Sequence, residues 1–134
     1  MTVFRGPEAQ GYPLLSQPWK VNFIAVAAHN NPPTTFVNGE TRFTAPEVAF
    51  MATKARTILR IALNNGQETL VLGALGCGAF HNPPKHVAEI FKTVLQEPEF
   101  AGAFKAVYFA IIDDHNSNGN LAAFKKVFGS CSIM

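Results

Sequence analysis

The apolar positions of this chain fall into blocks of two kinds, continuous runs and runs at helical spacing. Residues 21–28, 69–75 and 106–112 are almost wholly apolar, which predicts short strands buried on both faces. Between the first two runs, Val48, Met51, Ala52, Ala55, Ile58, Leu59 and Ala62 repeat at helical spacing and predict a long helix ending near Asn64. Thr44-Ala45-Pro46-Glu47 reads as a capping box at its start, and Asn65-Gly66 as its stop. Lys54, Arg56 and Arg60 fall on what reads as the solvated side. Val87, Ile90, Phe91, Val94 and Leu95 predict a second helix. Leu121, Phe124 and Phe128 predict a short third one, closed by Gly129.

The remaining stretches read as loops. Residues 1–20 hold Gly6, Gly11, Pro7, Pro13 and Pro18, leaving room for one short strand at residues 2–5. Phe4, Tyr12 and Trp19 are expected to pin that loop to the core. Residues 30–43 are polar around Asn38-Gly39-Glu40 and read as a loop at a strand end. Strands connected through helices are parallel with right-handed crossovers, so the expected fold class is α/β, with a mostly parallel sheet in a single domain over residues 1–134. That topology brings the turn at residues 29–31, the glycine-containing loop after residue 72 and the polar loop at residues 113–118 to one edge of the sheet, where α/β folds hold ligands.

The loop after residue 72 carries the strongest chemical signal. Gly73, Gly76 and Gly78 follow an apolar run, and Asn82-Pro83 reads as the start of the next helix. Glycines there permit a sharp turn or a close approach to the backbone, and successive N–H groups in such a loop form a concavity for an anion. The spacing is neither G-x-G-x-x-G nor a P-loop. Asp113 and Asp114 are adjacent, so their side chains diverge in an extended chain, and they read as a solvated loop with a cap for the last helix. Cys77 and Cys131 show no metal-ligand spacing and fit a reducing compartment. A nucleophilic Cys77 would need a depressed pKa. His29 and His115 lack the partners of a metal site, so no metal is expected.

Composition narrows the classes. Across 134 residues, 48% are hydrophobic and 15% charged, values of a globular domain able to bury its own core. A net charge of +2 admits a small anionic ligand but supplies no basic stripe, so direct nucleic-acid binding is not expected. No apolar run has membrane-spanning length and no leader pattern opens the chain, which points to the cytoplasm or nucleus and to no membrane partner.

The string L-V-L-G-A-L-G-C-G-A-F-H-N-P-P at residues 70–84, with V-Y-F-A-I-I-D at residues 107–113, resembles the C-terminal half of the microbial-type poly(ADP-ribose) glycohydrolases, a branch of the macrodomain superfamily. Val3-Phe4-Arg5 and residues 23–30 look like that family's V-F-R and I-x-A-A-A-P-N segments, with His29 where the family has proline. The resemblance implies a macrodomain-like three-layer α/β/α fold in truncated form. It implies ADP-ribose, or an ADP-ribosylated protein, as ligand, and no cofactor. Its binding set on this chain is Gly73, Gly76, Cys77, Gly78, Ala79 and Phe80, with Asn30 beside them; residues 76–80 wrap the diphosphate and distal ribose. Phe80 either packs on the ribose or lies in the core.

The family's N-terminal half, with its glycine-rich catalytic loop ending in paired glutamates, is not found in these residues. Four functions therefore stand. The chain binds ADP-ribose without chemistry. Or it is a glycohydrolase in which Asp113, Asp114, Glu40 or a partner supplies the carboxylate that the chemistry needs. Or it is a hydrolase using Cys77 and a histidine. Or it is a half-domain completed by a partner. Residues 21–28 and 106–112 contain no lysine, proline or other edge-blunting device, so a homodimer or a partner-completed sheet is expected, with an interface above about 1,000 Å².

Overall fold

The longest helix, α1 (Ala45–Asn64), frames the molecule by laying Met51, Ala55, Ile58, Leu59 and Ala62 into the core. The computed structural model describes residues 1–113 and 119–129. Around α1 the order is β1 (Thr2–Arg5), a 3₁₀ turn at Glu8–Gln10, β2 (Leu14–Lys20), β3 (Thr34–Val37), β4 (Glu40–Phe43), then α1, β5 (Thr69–Leu72), α2 (Pro84–Leu95), β6 (Ala106–Phe109) and α3 (Asn120–Phe128). The fold class is α/β. Its parallel element is the β5–α2–β6 unit, in register from Thr69 opposite Ala106 to Leu72 opposite Phe109.

One face of the β5–β6 pair is covered by the helices. Leu70 and Phe109 lie in the same core as Leu59, Val87 and Phe91. Phe109 meets Phe91 at 5.8 Å edge-on, Phe124 at 5.2 Å and Phe128 at 4.7 Å between ring centroids, which fixes α2 and α3 against the strand. The alternate positions point the other way, and Val71 is 70% exposed.

Several expectations are corrected here. Residues 21–28 form no strand. Their apolar character is real, and Ile24 and Val26 pack against the core, but a strand also needs a ladder partner. Among the described residues the segment is held by isolated contacts instead: Val21 N–H to the Met1 carbonyl, Lys54 Nζ to the Ala27 carbonyl and Asn82 Nδ2 to the His29 carbonyl. Residues 1–20 are not mostly loop. β2 pairs antiparallel with β1, Val3 opposite Trp19, and Phe4, Tyr12 and Trp19 stay half exposed rather than pinned to the core. Residues 34–43 are a hairpin, with Asn38 at φ +50° and Gly39 at φ +81°, as a two-residue type I′ turn requires.

The ends and outer side of α1 also differ from the expectation. Thr44 is the N-cap but its hydroxyl makes no capping bond, and neither half of the capping box forms: the Thr44 N–H goes to the Pro33 carbonyl and the Glu47 carboxylate to His29 Nδ1, 2.8 Å away. Arg56 grips both oxygens of Glu97, and Arg60 those of Glu99, so the basic side tethers the turn after α2. These bonds hold both carboxyls below the usual range. Among the described residues no helix is long and apolar enough to cross a membrane.

His86 locks the β4–α1 corner to α2. Its Nδ1 accepts the Phe43 N–H at 2.9 Å, so that nitrogen must stay unprotonated. Burial first, then the Arg42 charge, pushes its pKa down. A depressed folded pKa means stability present above the unfolded value and lost as pH falls. Denaturant melts should therefore show a loss growing from about pH 6.5 downward, before most carboxylates titrate. His86→Leu should remove that slope while costing about 1–3 kcal/mol at pH 7.5 through the orphaned Phe43 N–H.

Candidate functional site

The glycine loop between β5 and α2 is built around one contact that admits no side chain. Gly76 has φ +74°, and a Cβ there would lie 2.5 Å from both Ala28 Cβ and Asn82 Nδ2. Asn82 is the reason the loop closes. Its Nδ2 donates to the carbonyls of His29 at 2.8 Å, Gly76 at 3.0 Å and Phe80 at 3.1 Å. Two N–H bonds serve three acceptors, which fixes the amide orientation. Its Oδ1 is buried and has no partner among the described residues. The sequence reads Asn82 as a helix cap, whereas Pro83 holds that position and Asn82 works as a clamp. No sequence signal separates these roles; both need an asparagine just before a proline.

The loop is tied on both sides. Asn31 N–H donates to the Phe80 carbonyl at 3.0 Å, bringing the turn at residues 29–31 alongside. Asn120, at the start of α3 and 5% exposed, donates to the Cys77 carbonyl at 3.3 Å. Within the loop, Cys77, His81 and Asn82 give their N–H groups to Ala74, Gly78 and Gly76. Among the described residues, the N–H groups of Gly76, Gly78, Ala79 and Phe80 meet no protein acceptor. Gly76 and Gly78 are half-buried, while Ala79 and Phe80 are exposed. Backbone anion sites are built from such N–H donors in succession along a tight loop.

The other candidate residues occupy distinct settings. Gly73 follows β5 directly, outside the loop's closed turn, and Asn30 is exposed beside Asn31, accepting from its Nδ2 at 2.8 Å. The Phe80 ring is 40% exposed and so lies outside the core. Cys77 is buried, and burial raises its pKa to about 12, so the thiol stays protonated. Asp113 accepts the Leu121 N–H at 3.1 Å and thereby caps α3 from a distance in sequence. Asp114, His115 and Cys131 lie outside the described residues. Glu40 sits on β4 against Lys85, at 2.5 and 2.6 Å, with Arg42 3.8 Å away. The Lys85 bond holds its carboxyl below the usual range, the opposite of what a proton donor near neutral pH requires. Among the described residues no cluster of three or more His, Cys, Asp and Glu side chains could hold a metal ion.

A parallel strand pair with helices on one face and a clamped glycine loop at the C-terminal end of β5 define a macrodomain-like α/β class. Solved structures make the likeness specific. A point mutant of the poly(ADP-ribose) glycohydrolase from Deinococcus radiodurans, in complex with ADP-ribose, is 33% identical with a TM-score of 0.74 over 96% of this chain and 50% of that one. The glycohydrolase from Thermomonospora curvata is 30% identical with a TM-score of 0.70, over 95% of this chain and 44% of that one. A second mutant of the Deinococcus enzyme with ADP-ribose is 40% identical, TM-score 0.58, over 63% of this chain and 34% of that one. The chain thus resembles a partial region of the bacterial poly(ADP-ribose) glycohydrolases and spans about half the length of the first of them. No protein-family model matches the chain, and no curated protein does.

Proposed function

We propose that this chain binds ADP-ribose, free or carried on a protein, with the diphosphate seated on residues 76–80. The observation that carries this reading is the row of N–H groups at Gly76, Gly78, Ala79 and Phe80 that meet no acceptor among the described residues, in a loop held by Asn82. Hydrogen bonds from backbone N–H to phosphate oxygens need no charged side chain, and their strength comes from the loop being organised in advance. The exposed Phe80 ring gives the sugar an apolar face, with Asn30 and Gly73 at the margins of the site. The structures of the Deinococcus enzyme described above hold ADP-ribose, which supports the choice among phosphate-bearing ligands.

Binding here proceeds without cleavage. Glycosidic hydrolysis needs a carboxylic acid beside the scissile bond. Glu40 is held ionised by Lys85, Asp113 is engaged at α3, and the Cys77 thiol is too basic to attack. A glycohydrolase that uses Asp114, which lies outside the described residues, or a carboxylate supplied by a partner is the remaining alternative. The free thiol of Cys77 fits a reducing compartment, cytoplasmic or nuclear.

Calorimetry with ADP-ribose tests the binding. Gly78→Val, which sets a branched side chain into the cradle, is expected to weaken affinity at least tenfold, about 1.4 kcal/mol. Unchanged affinity in a folded variant would move the diphosphate elsewhere. Incubating the same protein with poly(ADP-ribose) should release no ADP-ribose, and turnover on the order of 1 s⁻¹ would establish the hydrolase instead.

A further inference from the structure

Glu47, Phe50 and Lys54 stand at i, i+3 and i+7 along α1 and so share one face of it. That face meets residues 27–29. Lys54 Nζ donates to the Ala27 carbonyl and lies 4.6 Å from the centre of the Phe50 ring. The Phe50 ring meets the His29 ring edge-on at 5.9 Å. Glu47 Oε2 accepts a hydrogen bond from His29 Nδ1 at 2.8 Å. A carboxylate only accepts, so the hydrogen of the imidazole stands on Nδ1. The Glu47 side chain is 14% exposed, and among the described residues His29 is its one hydrogen-bond partner. A carboxylate so far removed from water holds its only donor firmly, because nothing else replaces that bond.

The same short segment touches the glycine loop. Ala28 packs so closely on Gly76 that a Cβ there would fall 2.5 Å from its own. The His29 carbonyl accepts from Asn82 Nδ2 at 2.8 Å, and the Asn31 N–H donates to the Phe80 carbonyl at 3.0 Å. Within residues 27–31, His29 is bonded to both neighbours, by its ring to α1 and by its carbonyl to the clamp of the loop. We propose that Glu47 is a positioning residue for the anion-binding loop and acts through His29. The pair sets the turn at residues 29–31 where Asn82 and Phe80 can bond to it, and so holds the N–H groups of residues 76–80 in place before a ligand arrives. Glu47 itself touches no ligand. Backbone donors bind an anion well only when they are organised in advance, so the pair acts on affinity as well as on stability. The effect on affinity rests on the ADP-ribose reading, whereas the effect on the ligand-free loop does not.

The test pairs amide exchange in the ligand-free protein with calorimetry against ADP-ribose on one set of variants. Glu47→Ala and His29→Leu delete the bond. Glu47→Gln keeps an oxygen for the Nδ1 hydrogen, and His29→Asn sets an amide N–H where the Nδ1 hydrogen stood. The amides to follow are Asn31 and Asn82, bonded to the Phe80 and Gly76 carbonyls, with Ala110, bonded to the Leu72 carbonyl, as the reference. Both deletions should speed exchange at Asn31 and Asn82 about tenfold relative to Ala110, as local opening does. They should weaken ADP-ribose affinity about tenfold through the lost organisation of the loop. Glu47→Gln and His29→Asn should restore both readouts to near wild type. Arg56→Ala cuts the tie from α1 to Glu97 instead, and should cost stability while moving neither readout. The proposal is overturned if Ala110 speeds up as much as Asn31 and Asn82, if the deletions leave exchange or the affinity of a binding wild type unchanged, or if the conservative variants fare no better than the deletions. A wild type that does not bind ADP-ribose would overturn the ligand reading, and the exchange data would still decide the role of Glu47.

Discussion

Gly76→Ala is expected to lower the unfolding free energy by about 2–5 kcal/mol, a large share of the 5–15 kcal/mol available to a domain. Two costs combine. A left-handed backbone at φ +74° penalises any residue with a Cβ by roughly 1–2 kcal/mol. The added methyl would also lie 2.5 Å from Ala28 Cβ and Asn82 Nδ2, and overpacking of this kind costs typically 1–3 kcal/mol. Gly66→Ala separates the two effects. Gly66 has φ +66°, and an added methyl would meet nothing within 4 Å, so only the backbone cost applies there. Urea melts of both variants make the comparison, and equal losses would show that the loop yields and the clash carries no energy.

Asn82→Asp is expected to be worse, about 3–5 kcal/mol at pH 7, the usual cost of a buried charge left without compensation. The change is isosteric, but an oxygen would then face the carbonyls of His29, Gly76 and Phe80 in place of the donating Nδ2. In that setting the introduced carboxyl has a folded pKa raised above its unfolded value of about 3.9. A raised folded pKa means the stability difference from wild type is smallest below about pH 4 and widens as pH rises through the folded pKa. Denaturant melts of variant and wild type at pH 4 and pH 7 read the widening directly. A gap that stays constant with pH would mean the side chain has left its buried place.

How much of the fold is legible in the sequence depends on whether an element is defined by its own residues or by its partners. α1, α2 and α3 lie where their apolar spacing places them, because each buries its own stripe in the common core; β5 and β6 begin where expected but end three residues early, at Leu72 and Phe109, and bury one face where two were expected. Residues 21–28 have the composition of a strand and lack its hydrogen bonds; composition reports burial, and a ladder belongs to two segments. The β3–β4 hairpin is readable in principle, since Asn38-Gly39 between T-T-F-V and E-T-R-F is a strong turn signal, but the polar surroundings mask it. β2 is obscured by Pro18 and by lying outside the core. At the site, the glycine loop and its contact with residues 29–31 follow from topology, whereas the free N–H row and the Asn82 clamp are properties of folded geometry. Glu47 shows the same limit: the residue that suits a capping box is taken by a histidine 18 positions away.

The exposed outer face of the β5–β6 pair also governs how the isolated chain behaves as a colloid. Val71 and Phe23 present apolar side chains beside an edge with no lysine or proline to discourage pairing. Only charge repulsion then keeps copies apart, and the chain has little of it: net +2 at pH 7 and an isoelectric point near 8.7. Alkaline buffers remove that repulsion, salt screens it, and acid restores it at the cost of protonating His86. Solubility and fold stability thus pull the working pH in opposite directions and meet near neutrality, in dilute, low-salt solution.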